Sequence, residues 1–325
     1  MTEVGLVLGA GGVVGQAYHA GVLSALHESS GWDPRSADII VGSSAGSITG
    51  TMLRLGVGAT DLAAMAMRSP LSAVGSTLVD RILPNATGLP VPTPASWLRP
   101  WRPPSPALLS RIARRPWSFR PDVAAMTMLP AGLIDLTDRA APLHTFVGDR
   151  WPDDLWICAV RRDDGARVVF GRAGSPSAPL AAAVLASCSI PAYFAPVAIG
   201  GVEYFDGGVH SPTSADVLRA RRSAVVVVIS PMSAASFPSR RPDALIRWSA
   251  HRRLEREARR LEAGGSIVVR VEPGPLCIDA MGLRPMDEGR AARVAASAHR
   301  ETIQRLAEGH FAHLPVAAPR ACALD

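Results

Sequence analysis

Two apolar runs near the amino end each break into a glycine-rich turn and then into a helix-compatible segment. That repetition constrains the fold more than any other feature of the chain. Val4 to Leu8 ends in Gly9-Ala10-Gly11-Gly12-Val13-Val14-Gly15, and Gln16 to His27 then carries apolar residues at helical spacing through Ala17, Ala20, Val22, Leu23 and Leu26. Asp38 to Val41 leads into Gly42-Ser43-Ser44-Ala45-Gly46, followed by the helix-compatible Ser47 to Leu55. Two strand–turn–helix units in the first 56 residues predict an α/β fold, with a mostly parallel central sheet and helices on both faces.

Further along, Leu155 to Val160 and Arg167 to Phe170 read as strands joined by an Asp163-Asp164-Gly165 turn, a hairpin signal. Pro179 to Ser189 is a small-residue helix that stops at Ile190-Pro191. Val197 to Ile199 and Val202 to Phe205 flank a Gly200-Gly201 turn, and the second strand ends at Asp206-Gly207-Gly208. Ala224 to Ser230 is a continuous β-branched run, as expected of a strand buried on both faces, and Ser266 to Val271 resembles it. Ala244 to Ala263 is a helix with Ile246, Ala250, Leu254, Ala258 and Leu261 on its apolar side and an arginine-rich outer face. There Arg253 and Glu257 are spaced to support each other. Glu288 to Leu306 forms the last amphipathic helix. Between 69 and 130 the character changes, with ten prolines from Pro84 to Pro121 interleaved with Trp97, Trp101 and Trp117. Such a stretch excludes central strands and long helices. It reads as a lid inserted into a single domain spanning 1–325, or as a surface excursion without a role.

Composition narrows the function. At 48% hydrophobic and 19% charged, the 325 residues are long and apolar enough for a substantial core. The net charge is +6, and all 34 basic residues are arginines, which excludes a lysine Schiff base and a lysine-bearing phosphate loop. A pI near 9.9 suits an anionic surface, but no zinc-finger spacing or aromatic RNA-binding signature is present, so no nucleic-acid partner is expected. Cys158, Cys188, Cys277 and Cys322 lack metal-ligand spacing and read as thiols in a reducing compartment. No metal or cofactor is expected. The start of the chain has no export signal and no run approaches the ~18 apolar residues of a spanning helix. A cytoplasmic protein, with at most peripheral membrane contact, is the expectation.

The chemistry gathers at three glycine-containing turns: Gly9 to Gly15, Gly42 to Gly46 and Asp206 to Gly208. Each follows a strand, so each is placed at the carboxyl edge of one sheet, where open α/β sheets hold their sites. Gly42-Ser43-Ser44-Ala45-Gly46 has the Gly-x-Ser-x-Gly form that presents a serine hydroxyl on a strained elbow, although the same residues also suit an ordinary strand-to-helix turn. A serine nucleophile needs a base, and an oxyanion needs preorganised N–H donors. A glycine loop entering a helix offers bare amides at the positive end of that helix. Asp206, with only Gly207 and Gly208 behind it, has the room to approach Ser44 closely.

These motifs, in this order, resemble the patatin-like phospholipase family from about Val4 to Asp216. Ala186-Ser187-Cys188-Ser189-Ile190-Pro191 and Asp206-Gly207-Gly208-Val209-His210-Ser211-Pro212 carry the same likeness. The resemblance implies a three-layer fold and a Ser44–Asp206 dyad that hydrolyses a lipid acyl ester through an acyl-enzyme. It also implies an oxyanion hole built from the amides of Gly11, Gly12 and Val13, with Gly42, Gly46, Gly207 and Gly208 supporting the motifs. The chain departs from the family at Ala10, where a glycine is usual, and at Val14, where a basic residue is usual.

Three other readings compete. A dinucleotide site fits badly, because the last glycine arrives at Gly15 and no acidic residue ends the second strand. A Ser–His–Asp hydrolase would draw on His210, His251, His299, His310 or His313. A non-catalytic lipid- or protein-binding member of the same fold would be consistent with Ala10 and Val14. Oligomeric state is left open.

Overall fold

The computed structural model describes residues 3–83, 105–114, 121–129, 132, 134–235 and 241–311. Among these, eight strands form one mixed sheet: β1 (Val4–Leu8), β2 (Ile39–Ser43), β3 (Leu155–Arg161), β4 (Arg167–Phe170), β5 (Val197–Ile199), β6 (Val202–Asp206), β7 (Val225–Ile229) and β8 (Ile267–Val271). The α-helices are α1 (Gly12–Ser30), α2 (Ala45–Arg54), α3 (Ala59–Met67), α4 (Ala73–Ile82), α5 (Pro106–Arg114), α6 (Pro121–Thr127), α7 (Ala141–Val147), α8 (Leu180–Cys188), α9 (Ala244–Glu262), α10 (Pro275–Met281) and α11 (Ala291–Ala307).

β8, β7, β1, β2 and β3 run parallel in that spatial order. The expected β3–β4 hairpin forms, with Val160 opposite Arg167. The sheet is mostly parallel as expected, but at the other end β6 is antiparallel to β3 and β5 is antiparallel to β6. Asp206 therefore does not arrive at a carboxyl edge shared with the glycine loop and the elbow; it arrives from the opposite direction.

The register shows where it arrives. Ile157 and Cys158 pair with Gly42 and Ser43 of β2 on one side and with β4 on the other. Ala159 and Val160 pair with β4 and with β6. A strand has only two edges, so β2 and β6 must share the edge of β3 that faces away from β4. β2 ends with Ser43 opposite Cys158, and β6 ends with Asp206 opposite Ala159. The two strands meet head to head, one rung apart.

Period-two alternation divides the core between two faces. Val225, Val227 and Ile229 of β7 join Leu6, Leu8 and Ile40 beneath Val22, Leu23 and Leu26 of α1 and Val294 and Ala298 of α11. Val226 and Val228 join Val7, Ile39 and Val41 beneath Leu254 and Leu261 of α9. This gives three layers. Glu257, expected as outer-face support for Arg253, is instead turned inward at 4% exposure. It accepts hydrogen bonds from Ser211 Oγ (2.6 Å), Thr213 Oγ1 (2.6 Å) and the Ala215 amide (2.9 Å). Ile246, expected on the apolar side of that helix, is 58% exposed.

The expected lid falls partly on 84–104 and 115–120, including Trp97, Trp101 and Trp117, which lie outside the described residues. Its described parts include the helices α4, α5 and α6. Among the described residues, no helix is long and apolar enough to cross a membrane.

Helices α1 and α11 pack closely at Gly21, where an added Cβ would lie 2.2 Å from the Ala295 carbonyl oxygen of α11. Backbone cannot yield cheaply there. Gly21→Ala is expected to destabilise the protein by about 1–3 kcal/mol despite its better helix propensity, read as a lower urea midpoint with an unchanged m-value.

Candidate active site

Ser44 sits between β2 and α2 with φ 51° and ψ −119°, a left-handed conformation that a serine adopts only under constraint. The constraint is local crowding. A Cβ on Gly46 would lie 1.9 Å from the Leu8 carbonyl oxygen, and one on Gly42 would lie 2.5 Å from the Gly46 carbonyl oxygen. The turn is also held by hydrogen bonds at both ends. The Ser44 amide donates to Ser187 Oγ (2.8 Å), which itself donates to the Cys158 carbonyl on β3 (2.7 Å), while Ser47 Oγ donates to the Ser44 carbonyl (2.7 Å). Ser187 is a residue that sequence reasoning placed within a motif but gave no role.

Asp206 closes β6 one rung beyond the elbow. Its amide donates to the Ser189 carbonyl (3.0 Å), and its Oδ1 accepts the Gly208 amide (2.7 Å). The carboxyl is 4% exposed. Burial raises it to about 6, against partial relief from the Ser44 hydroxyl and the Gly208 amide. Asp216 behaves differently: burial opposes its charge too, but hydrogen bonds from Arg167 at 2.6 and 3.1 Å hold it below its ordinary value. Asp206 can thus exchange a proton near neutral pH, whereas Asp216 stays ionised there.

The glycine loop departs from expectation in detail. α1 begins at Gly12, four residues before Gln16, so the loop is itself the first helical turn. The Gly9 amide donates to the Ile229 carbonyl, Ala10 to Pro212, Val14 to Pro285 and Gly15 to Gly11. Among the described residues the amides of Gly11, Gly12 and Val13 have no partner. Gly12 and Val13 line the same cavity as Ser44, whereas Gly11 lines a separate groove against Pro231. Of the three residues expected as oxyanion donors, Gly12 and Val13 line the cavity that Ser44 also lines. Ala45, the first residue of α2, lines the cavity as well, and its amide also has no partner among the described residues. Two helix amino ends converge on Ser44, and both favour negative charge.

The two family departures have physical reasons. Ala10 is tolerated because Gly208 faces it; a Cβ at Gly208 would lie 3.0 Å from the Ala10 Cβ. Val14 is 5% exposed and belongs to the core, so a cation at that position would be buried away from Ser44.

None of the described histidines lines the cavity. His251 Nδ1 bonds Glu272 at 2.9 Å, His299 Nε2 bonds Glu28 at 2.7 Å, and His310 lies 3.3 Å from Glu308. His313 lies outside the described residues. His19 is fully buried beside Thr49 Oγ1 (3.3 Å), and burial lowers it to about 3, so it is neutral. Cys188 does line the cavity, 3.7 Å from Ser47 Oγ, but burial and then the Asp206 charge push its thiol up to about 12, leaving it protonated. Among the described residues no cluster of three or more acidic, histidine or cysteine side chains has metal-binding geometry.

The cavity has a volume of about 540 Å³. Its walls are mostly apolar, with Met52, Leu62, Met65, Leu143, Leu185 and Phe194 among them, and Arg68 and Arg139 also contribute. The patatin-like phospholipase family matches residues 6–219. The chain belongs to that family. The matched span holds all three turns and ends shortly beyond the Asp206 motif. No match was found among curated proteins. Among solved structures, the chain is similar to VipD from Legionella pneumophila, at 14% identity and a TM-score of 0.41 over 94% of this chain and 67% of that one. It is also similar to the type III effector protein ExoU, at 15% identity and a TM-score of 0.37 over 95% of this chain and 54% of that one. The chain thus spans about half the length of ExoU.

The raised Asp206 carboxyl has a consequence for stability. Its folded value of about 6 lies above its ordinary 3.8, so the folded protein binds the proton more tightly than the unfolded chain does. Stability is then lost as pH rises from about 4 through 6, by about 3 kcal/mol. Asp206→Asn removes that loss. Its thermal midpoint should exceed that of the wild type at pH 7.5, and the gap should close near pH 4. A variant less stable at pH 7.5 would show that the carboxylate is not strained by burial.

Proposed function

We propose that the protein is a serine acyl-ester hydrolase acting on lipid esters through a Ser44–Asp206 dyad. One observation carries the reading: β2 and β6 meet head to head on one edge of β3 and bring a strained serine against a buried carboxylate beside an apolar cavity. Family membership supports the lipid ester as substrate class.

Asp206, ionised, accepts the Ser44 proton as Oγ attacks the ester carbonyl. The tetrahedral oxyanion is stabilised by the Gly12 and Val13 amides, with the Ala45 amide from the opposite helix. The proton then passes from Asp206 to the departing alcohol, leaving an acyl-serine. Asp206 next takes a proton from water as it attacks the acyl-serine, and returns that proton to Ser44 Oγ as the fatty acid leaves. Since the same carboxyl acts in both halves, no histidine is needed, and the raised pKa brings it closer to the alcohol it must deprotonate. A methylene fills about the volume of one liquid water, roughly 30 Å³, so the cavity has room for roughly eighteen, or one long acyl chain. Ile82 and Leu83 line the cavity just before the proline-rich stretch, which supports its role as a lid over a single hydrolase domain.

A fluorophosphonate probe should label wild type at Ser44 and leave Ser44→Ala unlabelled. Hydrolysis of lysophospholipids and p-nitrophenyl esters should fall at least 10³-fold in Ser44→Ala and Asp206→Asn, and the wild-type rate should rise through about pH 6. Equal turnover in all three proteins would remove the dyad.

A further inference from the structure

The amino-terminal half of α9 carries an apolar surface that the fold leaves open. Leu245 is 71% exposed, Ile246 58% and Trp248 46%, and across the adjoining groove Leu283 is 56% exposed. Leu245, Trp248, Arg252, Arg256 and Arg259 follow one another at helical spacings of three and four, so they form a single exposed stripe. The stripe is apolar at its start and cationic at its end. Arg252 bridges the two parts, its guanidinium 5.9 Å from the Trp248 ring while also 3.5 Å from Glu255. The helix bears six arginines against three glutamates, and one of those, Glu257, is buried under the opposite face.

This surface adjoins the candidate active site. Ile246, Leu283 and Pro285 line the groove whose floor is Gly11, while the next residues of the same two segments, Gly12 and Met286, line the Ser44 cavity. A lipid lifted at the groove would have a short path to the serine.

We propose that the α9 stripe and the Ile246–Leu283 groove dock the protein on an anionic lipid surface. Apolar side chains and a tryptophan would enter the headgroup boundary, and Arg252, Arg256 and Arg259 would meet lipid phosphates. Charge complementarity selects this occupant: the exposed helix face and the whole chain are both cationic. The docking deepens the hydrolase reading but is measured apart from it.

The test uses full-length Ser44→Ala, so that vesicles stay intact, with vesicles of phosphatidylcholine alone or with 30% phosphatidylglycerol. Flotation and Trp fluorescence should show binding to the anionic vesicles at least tenfold stronger than to the neutral ones, weakened by 0.5 M salt. Leu245→Asp with Trp248→Asp, and separately Arg252→Glu with Arg256→Glu, should each reduce it at least tenfold. In the wild-type background the same changes should leave hydrolysis of a soluble p-nitrophenyl ester within twofold. Equal vesicle binding by both double variants would overturn the proposal. So would a wild type that ignores vesicles but sediments as a dimer dissociated by the Leu245/Trp248 change, because the face would then join two copies of the chain. Vesicle binding without any ester hydrolysis would leave the docking surface standing and remove the hydrolase reading.

Discussion

The end-to-end meeting of β2 and β6 along one edge of β3 is the constraint on which the rest of the site depends. Two strands can abut in this way only if neither continues, and each is stopped by chemistry written into its last residues. β2 is turned at Ser44 by packing that no side chain at Gly42 or Gly46 would permit. β6 is turned at Asp206, whose Oδ1 accepts the Gly208 amide, and the Gly207 backbone lies so near β3 that a Cβ would come within 2.2 Å of the Cys158 carbonyl. That same carbonyl accepts the Ser187 hydroxyl that holds the Ser44 amide. One peptide of β3 therefore meets both turns, closely at Gly207 and through the Ser187 hydroxyl at Ser44.

In the proposed mechanism that geometry makes Asp206 the base. A carboxylate near its ordinary pKa is a weak acceptor for a serine proton, and burial makes Asp206 a stronger one. Pairing would undo this, as the Arg167–Asp216 pair shows elsewhere in the fold. The strained serine and the raised carboxyl are both unfavourable to folding, and the large two-faced core, with its fully buried β7, is what tolerates them.

Much of this was legible in the sequence, for local reasons. β4 and β5 have the boundaries that alternation and turn residues imply, and the elbow announces itself because glycine is required on both sides of a tight strand-to-helix turn. What could not be read is direction and distance. The glycines that end β6 would look the same on a parallel strand, so the antiparallel approach of Asp206 is a tertiary fact. Ser187 meets Ser44 across 143 residues of chain, and no periodicity encodes that bond. Glu257 stands four residues from Arg253, a spacing that suits a surface pair, yet the buried hydroxyls of Ser211 and Thr213 and the Ala215 amide claim the carboxylate first. α1 starts at Gly12 although glycine is a poor helix former, because tertiary packing against Pro285 and Pro231 outweighs propensity.

Gly11 shows how finely the loop is divided. The family resemblance treats Gly11, Gly12 and Val13 as one donor set, but the onset of a helix rotates successive residues by about 100° around its axis. Successive positions therefore meet different surroundings. Gly12 and Val13 line the cavity that holds Ser44, and Gly11 lines the groove beside α9. The departures at Ala10 and Val14 fall on the sides of the same turn that face Gly208 and the core, respectively. A loop that begins a helix can thus lose its usual side chains on two sides and still present its amides on the third, because those donors belong to the backbone.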